Sequence, residues 1–156
     1  MKMIFDRTQS DVDQAKIIRD TKIKSFEALT ESDIEILERG MLTINTLNRI
    51  EDKEKVLKDT INAMGYWGHS FNNKTWTSTD VFHLDDFQRI VTAVYYLSNG
   101  FFVFSTTPPT PETTDATYDY LTFNDIEKIL YDLELMVENV KSRYRECGNY
   151  ECGQEG

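Results

Sequence analysis

Two cysteines near the C-terminus are the side chains of this chain with the most obvious chemistry. Cys147 and Cys152 stand in the sequence Cys-Gly-Asn-Tyr-Glu-Cys-Gly. Their spacing would close a small disulfide loop, or it would supply half of a structural zinc site, which takes four ligands. The histidines that could complete a zinc site, His69 and His83, lie in distant segments. We therefore favour two ordinary thiols on a flexible tail, residues 147–156, over a disulfide, and a disulfide over a metal site.

The spacing of the other reactive side chains does not match an enzyme. His69 and His83 are the only histidines, and neither belongs to a His-x-x-x-His or His-Glu-x-x-His arrangement. The sequence has neither the Gly-x-Ser-x-Gly elbow of hydrolases nor a glycine-rich phosphate loop. Asp85 and Asp86 are adjacent acids, but the dipole of a helix that begins there explains them. We predict a non-enzymatic protein without catalytic residues, cofactor or metal.

Four aromatic residues form the best candidate interaction site. Tyr66, Trp67, Phe71 and Trp76 are interspersed with asparagines and threonines on a connection between two predicted helices. Such rings could stack on a cell-surface glycan or anchor a host protein. In the alternative that we favour, the tryptophans close the end of a helical bundle, because burial is the commoner use of large aromatic side chains.

The charge of the chain restricts its partners. The 156 residues include 17 basic and 27 acidic side chains, a net charge of −10, and residues 65–156 alone carry −8. An acidic surface repels the phosphate backbone, so we expect no binding to nucleic acid. Such a surface could instead occupy a basic site on a host enzyme, which makes an acidic inhibitor an alternative function.

Length and hydropathy indicate one globular unit outside the membrane. A chain of this length can bury one hydrophobic core, which we assign to a single domain, residues 1–146. No segment reaches the ~18 apolar residues of a transmembrane helix. The N-terminal sequence Met-Lys-Met-Ile-Phe-Asp turns polar too early for a secretory signal. We expect a cytoplasmic protein that does not bind membranes.

Periodic apolar residues predict an all-α fold of about four helices. The predicted helices cover residues 6–27, 31–64, 84–98 and 123–145. The buried stripe of the first helix includes Ile18, Ile23 and Phe26. The second is one long helix, bent near Gly40, since glycine weakens a helix interior by about 1 kcal/mol. Ahead of the last helix, residues 101–104 and 118–121 could pair as a small two-stranded β-hairpin.

One phrase occurs twice and predicts how two of the helices begin. Leu29-Thr30-Glu31-Ser32-Asp33 and Leu121-Thr122-Phe123-Asn124-Asp125 each place a threonine three residues before an aspartate. In each copy we expect the threonine to be the helix N-cap and the aspartate to complete a capping box.

Several phrases spread over nearly the whole chain carry a family resemblance. They include Met64-Gly65-Tyr66-Trp67 and Tyr144-Arg145-Glu146-Cys147-Gly148, and the others are residues 6–13, 37–51, 73–77, 87–90, 127–133 and 151–153. Together they resemble a family of small, poorly characterised proteins encoded in phages and prophages of Gram-positive gut bacteria, typically near tail or other structural genes. The stretch that matches least is residues 98–116.

The resemblance implies a structural, tail-associated protein that is made in the cytoplasm of the producing bacterium and then associates with the virion. Its partners would be copies of itself, in a homo-oligomer, or another virion component. The family supplies no catalytic residue that can be carried over to this chain. Glycan or host-protein recognition through the loop from Tyr66 to Trp76 and inhibition of a host protein remain the alternatives.

Overall fold

Helices form all of the regular secondary structure in the part of the chain that the structure describes. The structure is a computed structural model that describes residues 2–66, 70–113 and 118–147, with side chains in the last range described as far as residue 143. Its helices are α1 Gln9–Ile18, α2 Glu31–Gly40, α3 Ile44–Ala63, α4 Leu84–Gly100 and α5 Tyr120–Cys147, and a π-helical turn, Arg19–Ile23, prolongs α1. The predicted all-α class is confirmed.

The predicted single helix over residues 31–64 is wrong, because the chain leaves the helical conformation directly after Gly40. Met41 is extended, with φ −132° and ψ 154°. Thr43 then starts α3, and its side-chain oxygen accepts the N–H of Thr46 at 3.2 Å. A β-carbon on Gly40 would lie 2.1 Å from the backbone oxygen of Asp11, so α1 and α2 are in backbone contact there. The glycine marks a close crossing of two helices, and the threonine marks a new helix start.

The repeated phrase predicts one helix start correctly and misplaces the other. Thr30 is the N-cap of α2 and forms the predicted capping box with Asp33. In contrast, α5 begins two residues before Thr122, and the carboxylate of Asp119 accepts the N–H groups of Leu121 at 2.9 Å and Thr122 at 3.0 Å. The predicted β-hairpin is therefore also wrong. Residues 120 and 121 are helical, and residues 102–104 and 118–119 form no strand.

The helices group into a three-helix core and a helical hairpin. α3, α4 and α5 contact one another, and their fully buried side chains include Ile50, Phe87 and Leu133. α1 and α2 pack chiefly on each other, around a second apolar cluster that contains Ala15 and Leu37. None of the helices in the described ranges is long and apolar enough to cross a membrane.

Candidate functional site

The structure separates the aromatic residues that the sequence groups together. Trp76 is 3% exposed and belongs to the main core, where Asn48 binds its backbone N–H at 2.7 Å and its carbonyl at 3.0 Å. Phe71 is half-buried against the same core, and Tyr66, near the end of α3, is exposed. Trp67 lies outside the described residues. A glycan or a protein could touch Tyr66 directly, but it would reach Trp76 only after the core had opened.

The cysteines and histidines contribute little to a site in the described ranges. Cys147 is the last residue of α5, while Cys152, the rest of the predicted tail and His69 lie outside the described residues. His83 is the N-cap of α4, and its backbone N–H donates to Asp86 at 3.2 Å. Within residues 2–66, 70–113 and 118–147, no group of three or more His, Cys, Asp or Glu side chains could hold a metal ion. The thiol and disulfide interpretations stay predictions.

A buried acid on α3 fixes the connection between α3 and α4. Glu51 accepts two hydrogen bonds from the guanidinium of Arg89 on α4, at 2.9 and 2.5 Å. The same carboxylate accepts the indole N–H of Trp76 at 3.2 Å and the backbone N–H of Lys74 at 3.0 Å. The burial of Glu51 is compensated, because its charge is paired with Arg89 and both of its oxygens accept hydrogen bonds.

Glu54, one turn further along α3, is buried without such compensation. It is fully buried, and one oxygen accepts the amide N–H of Asn73 at 3.2 Å. The other, Oε1, has no hydrogen-bond partner in the described part of the molecule. Burial, and after it the negative charge of Glu51, raises the pKa of Glu54 well above its usual value, although Arg89 and Lys58 act in the opposite direction. This environment favours a neutral, protonated carboxyl.

A third buried acid ties the N-terminal segment to two helices. Glu127 on α5 is fully buried, and its Oε1 accepts hydrogen bonds from Nη2 of Arg7 and Nη2 of Arg49, each at 2.7 Å. Its Oε2 accepts the backbone N–H of Ile4 and the Nε–H of Arg49. Asn124 binds the backbone N–H and carbonyl of Arg7 at 3.2 and 3.0 Å. These contacts hold the chain ahead of α1 against α3 and α5.

The far end of the α1–α2 hairpin, which we call the hairpin tip (residues 16–34), exposes a group of apolar side chains. Every residue from 23 to 32 is exposed. The exposed apolar side chains of the tip are Ile17, Ile23, Phe26, Leu29 and Ile34, and Phe26 is 97% exposed. The buried stripe predicted for the first helix is therefore right at Ile18 and wrong at Ile23 and Phe26.

The backbone at Phe26 makes its exposure more informative. The N–H of Phe26 binds the carbonyl of Ile23 at 3.1 Å, and the N–H of Glu27 binds that of Lys22 at 2.9 Å, which is the Schellman pattern of a helix end. Phe26 occupies the left-handed position of this motif, with φ 57°. Glycine is usual there, because a β-carbon costs roughly 1–2 kcal/mol. Neither packing nor backbone preference accounts for a phenyl ring at this position.

An ion pair holds the two arms of the hairpin tip together. Asp33 on α2 accepts hydrogen bonds from the ammonium of Lys22 at 2.6 Å, and from the N–H and hydroxyl of Thr30 at 2.8 and 2.7 Å. These bonds, with that of Lys22 the strongest influence, lower the pKa of Asp33 to about 2. These bonds stabilise the backbone conformation of the tip, on which the side chain of Phe26 is exposed.

Two of these features are visible in the amino-acid sequence. Glu54 falls between Ile50 and Leu57 in the apolar spacing of α3, so the pattern itself places a carboxyl in the core. Phe26 stands where a terminating glycine is expected after a helix.

Comparison of the chain with protein families, with curated proteins and with solved structures finds no match.

Proposed function

We propose that the protein is a non-enzymatic structural component that acts through protein–protein contacts made by the hairpin tip. The observation that carries the proposal is Phe26, whose ring is 97% exposed on a left-handed backbone that suits glycine better. Four more apolar side chains are exposed in the same tip. Exposed apolar groups of this kind mark contact surfaces, and strain that packing does not explain is typical of functional positions.

The partner that fits the hairpin tip best is a second copy of the chain. The tip has four basic residues, Lys16, Arg19, Lys22 and Lys24, and four acidic ones, Asp20, Glu27, Glu31 and Asp33. It is therefore neutral, and the net charge of −10 belongs to the rest of the molecule. Two copies repel each other least when they meet tip to tip. In a two-fold contact the tip of each copy therefore meets a surface without net charge.

The family resemblance supports a place for this contact in a virus particle. In our proposal the protein is phage-derived and tail-associated, is made in the cytoplasm of the producing bacterium and is then carried by the virion, where self-contact serves assembly. Mass spectrometry of purified particles of the encoding phage tests this part. The protein should be present in a fixed ratio to the tail proteins, and its absence from intact particles would refute virion association.

The substitution Phe26→Gly tests the contact itself. It removes the ring and relieves the left-handed backbone, so the variant should fold at least as stably as the wild type. Burying one phenylalanine contributes about 1.5–3 kcal/mol, and each of the two copies loses one, so the dimer should dissociate at least roughly a hundred times more readily. Sedimentation equilibrium measures both dissociation constants. Higher salt should strengthen the wild-type dimer, since it screens the repulsion between the acidic bodies.

Val56 provides the matched control for this experiment. It is an exposed apolar residue on α3, outside the hairpin tip. Val56→Ala should therefore dimerise as the wild type does. A wild-type protein that is monomeric at every accessible concentration, or a Phe26→Gly variant that dimerises as well as Val56→Ala, would remove the basis for the proposed contact.

A further inference from the structure

We propose that Glu54 operates a proton latch on the connection between α3 and α4. While its carboxyl is neutral, residues 71–76 are held against α3, and transfer of its proton to a base in solvent releases them. The latch is independent of the hairpin tip, because it lies on α3 and uses none of the tip residues. It gives the protein a pH-dependent conformational change in a segment that carries Phe71 and Trp76.

The closed latch is centred on Asn73. Its amide nitrogen lies 3.2 Å from Oε2 of Glu54, 3.2 Å from the backbone oxygen of Glu51 and 3.4 Å from Oε2 of Glu51. From the other side, the ammonium of Lys58 donates to the amide oxygen of Asn73 at 3.2 Å and to the carbonyl of Phe71 at 2.9 Å. The connection is thus bound to one face of α3 through the carboxyl of Glu54, the backbone oxygen of Glu51 and the ammonium of Lys58.

The charges around Glu54 leave one cation able to respond to it. The charged groups that act on Glu54 are Glu51 and Lys58 of α3 and Arg89 of α4. Arg89 is committed to Glu51, Lys74 lies 3.4 Å from Asp80, and Lys53 binds Glu134 at 2.5 Å. Lys58, in contrast, donates to neutral oxygens of the connection.

Ionisation of Glu54 would place a second negative charge beside Glu51 in the interior. Oε1 has no hydrogen-bond partner in the described ranges, so the anion would carry the cost of an unsatisfied buried oxygen. The molecule can lower that cost by drawing Lys58 onto the carboxylate or by admitting water to it. The first movement breaks the bonds from Lys58 to Phe71 and Asn73, and the second lifts Asn73 from Glu54. Either movement removes contacts of residues 71–73 with α3. Residues 74–76 are then held only by their bonds to Glu51 and Asn48 and by the packing of Trp76, so the connection opens more readily.

The direction of the pH effect follows from where the proton is held. Opening exposes Glu54 to solvent, where its pKa returns to the usual 4.5, whereas the closed form holds the pKa well above that. At pH values between the two, the closed form keeps one proton more than the open form. The equilibrium constant for opening therefore rises tenfold per pH unit in that range and levels off above it.

Hydrogen exchange at the amides of Lys74 and Trp76, followed by NMR from about pH 5 to 8, tests the latch. Both amides donate to α3, to Glu51 and to Asn48 respectively. In the wild type their protection, relative to Glu54→Gln, should fall as the pH rises, tenfold per pH unit between 4.5 and the raised pKa of the closed form, and should level off above that pKa. Asp52→Asn, which removes an exposed acid of the same helix, should keep the wild-type dependence. A protection ratio that does not change with pH would overturn the proposal.

The core amide of Leu130 separates release of the connection from global unfolding. If the latch opens by itself, Lys74 and Trp76 exchange faster than Leu130 at every pH. Equal rates at all three sites would show that Glu54 affects only unfolding, and the latch would be refuted. A ¹³C carboxyl titration of Glu54 in the wild type needs no variant to fold. The carboxyl should titrate with a midpoint well above 4.5, and a midpoint near 4.5 would also refute the proposal.

Discussion

Replacing Glu127 by glutamine is the sharpest test of how the N-terminal segment is anchored. The carboxylate of Glu127 is fully buried and accepts hydrogen bonds from two guanidinium groups, those of Arg7 and Arg49, as well as from the backbone N–H of Ile4. Glutamine has almost the same shape, but it carries no charge, and its NH₂ group would face other donors. Glu127→Gln therefore leaves two buried cations without a counter-charge.

The expected loss is large because only one side of a buried ion network is removed. Removing one partner of a buried ion pair costs about 3–5 kcal/mol. The total free energy of unfolding of a domain is roughly 5–15 kcal/mol, so the variant should lose about a fifth or more of its stability. Arg7→Met removes the other side and leaves Arg49 paired with Glu127. It should cost less, about 1–3 kcal/mol for the hydrogen bonds that Arg7 makes.

Urea unfolding followed by circular dichroism measures both changes in the free energy of unfolding. Glu138→Gln removes an exposed acid from the same helix and serves as the control, with an expected effect within about 0.5 kcal/mol. The order of the variants is the critical result. Two results would show that the charge argument is wrong. In the first, the losses in free energy of unfolding for Glu127→Gln and Glu138→Gln differ by less than about 1 kcal/mol. In the second, Arg7→Met loses more than Glu127→Gln.

Two further predictions concern the hairpin. Gly40→Ala puts a methyl group 2.1 Å from the backbone oxygen of Asp11 and should cost at least about 1–3 kcal/mol, with hydrogen-exchange protection lost in α1 and α2. The control is Gly65→Ala, where the added methyl group meets no other atom but φ is 78°, so this variant should loosen the end of α3 instead. If both variants lost protection at the same sites, the close crossing of α1 and α2 would be contradicted. Because the bond from Lys22 lowers the pKa of Asp33 to about 2, the stability it contributes is present above pH 3.8 and is lost as the pH falls towards 2. The difference in melting temperature between wild type and Asp33→Asn should shrink over that range, and a constant difference would contradict the ion pair.

The sequence predicted the features of this fold that depend on local spacing. The helical class and the approximate positions of α4 and α5 follow from apolar residues repeated every three or four positions. The start of α2 follows from the threonine–aspartate pair at Thr30. Each of these features depends on residues within one or two helical turns, so neighbouring residues in the sequence are enough to predict it.

The features that the sequence did not reveal depend on contacts between distant segments. The break after Gly40 is a crossing with α1 near Asp11, and no local rule signals that contact. Glu127 meets Arg7 and Arg49, which are 120 and 78 residues away in the chain. Likewise, the residues near Glu51 in the sequence do not predict its ion pair with Arg89. Sequence periodicity shows that an acid lies on a buried face, but it cannot name the cation that joins it there.

The degree of compensation at each unusual residue ranks the candidate sites. Glu51 and Glu127 break the rule that charges stay outside, but guanidinium groups and N–H donors offset their burial, which is sufficient explanation for a structural role. Glu54 is compensated by one hydrogen bond and a raised pKa, so its state depends on pH. At Phe26 the molecule provides no compensation: the ring is exposed and the backbone is left-handed. A protein retains such a residue when something outside the chain supplies the missing contact, and that reasoning makes the hairpin tip the first surface to test.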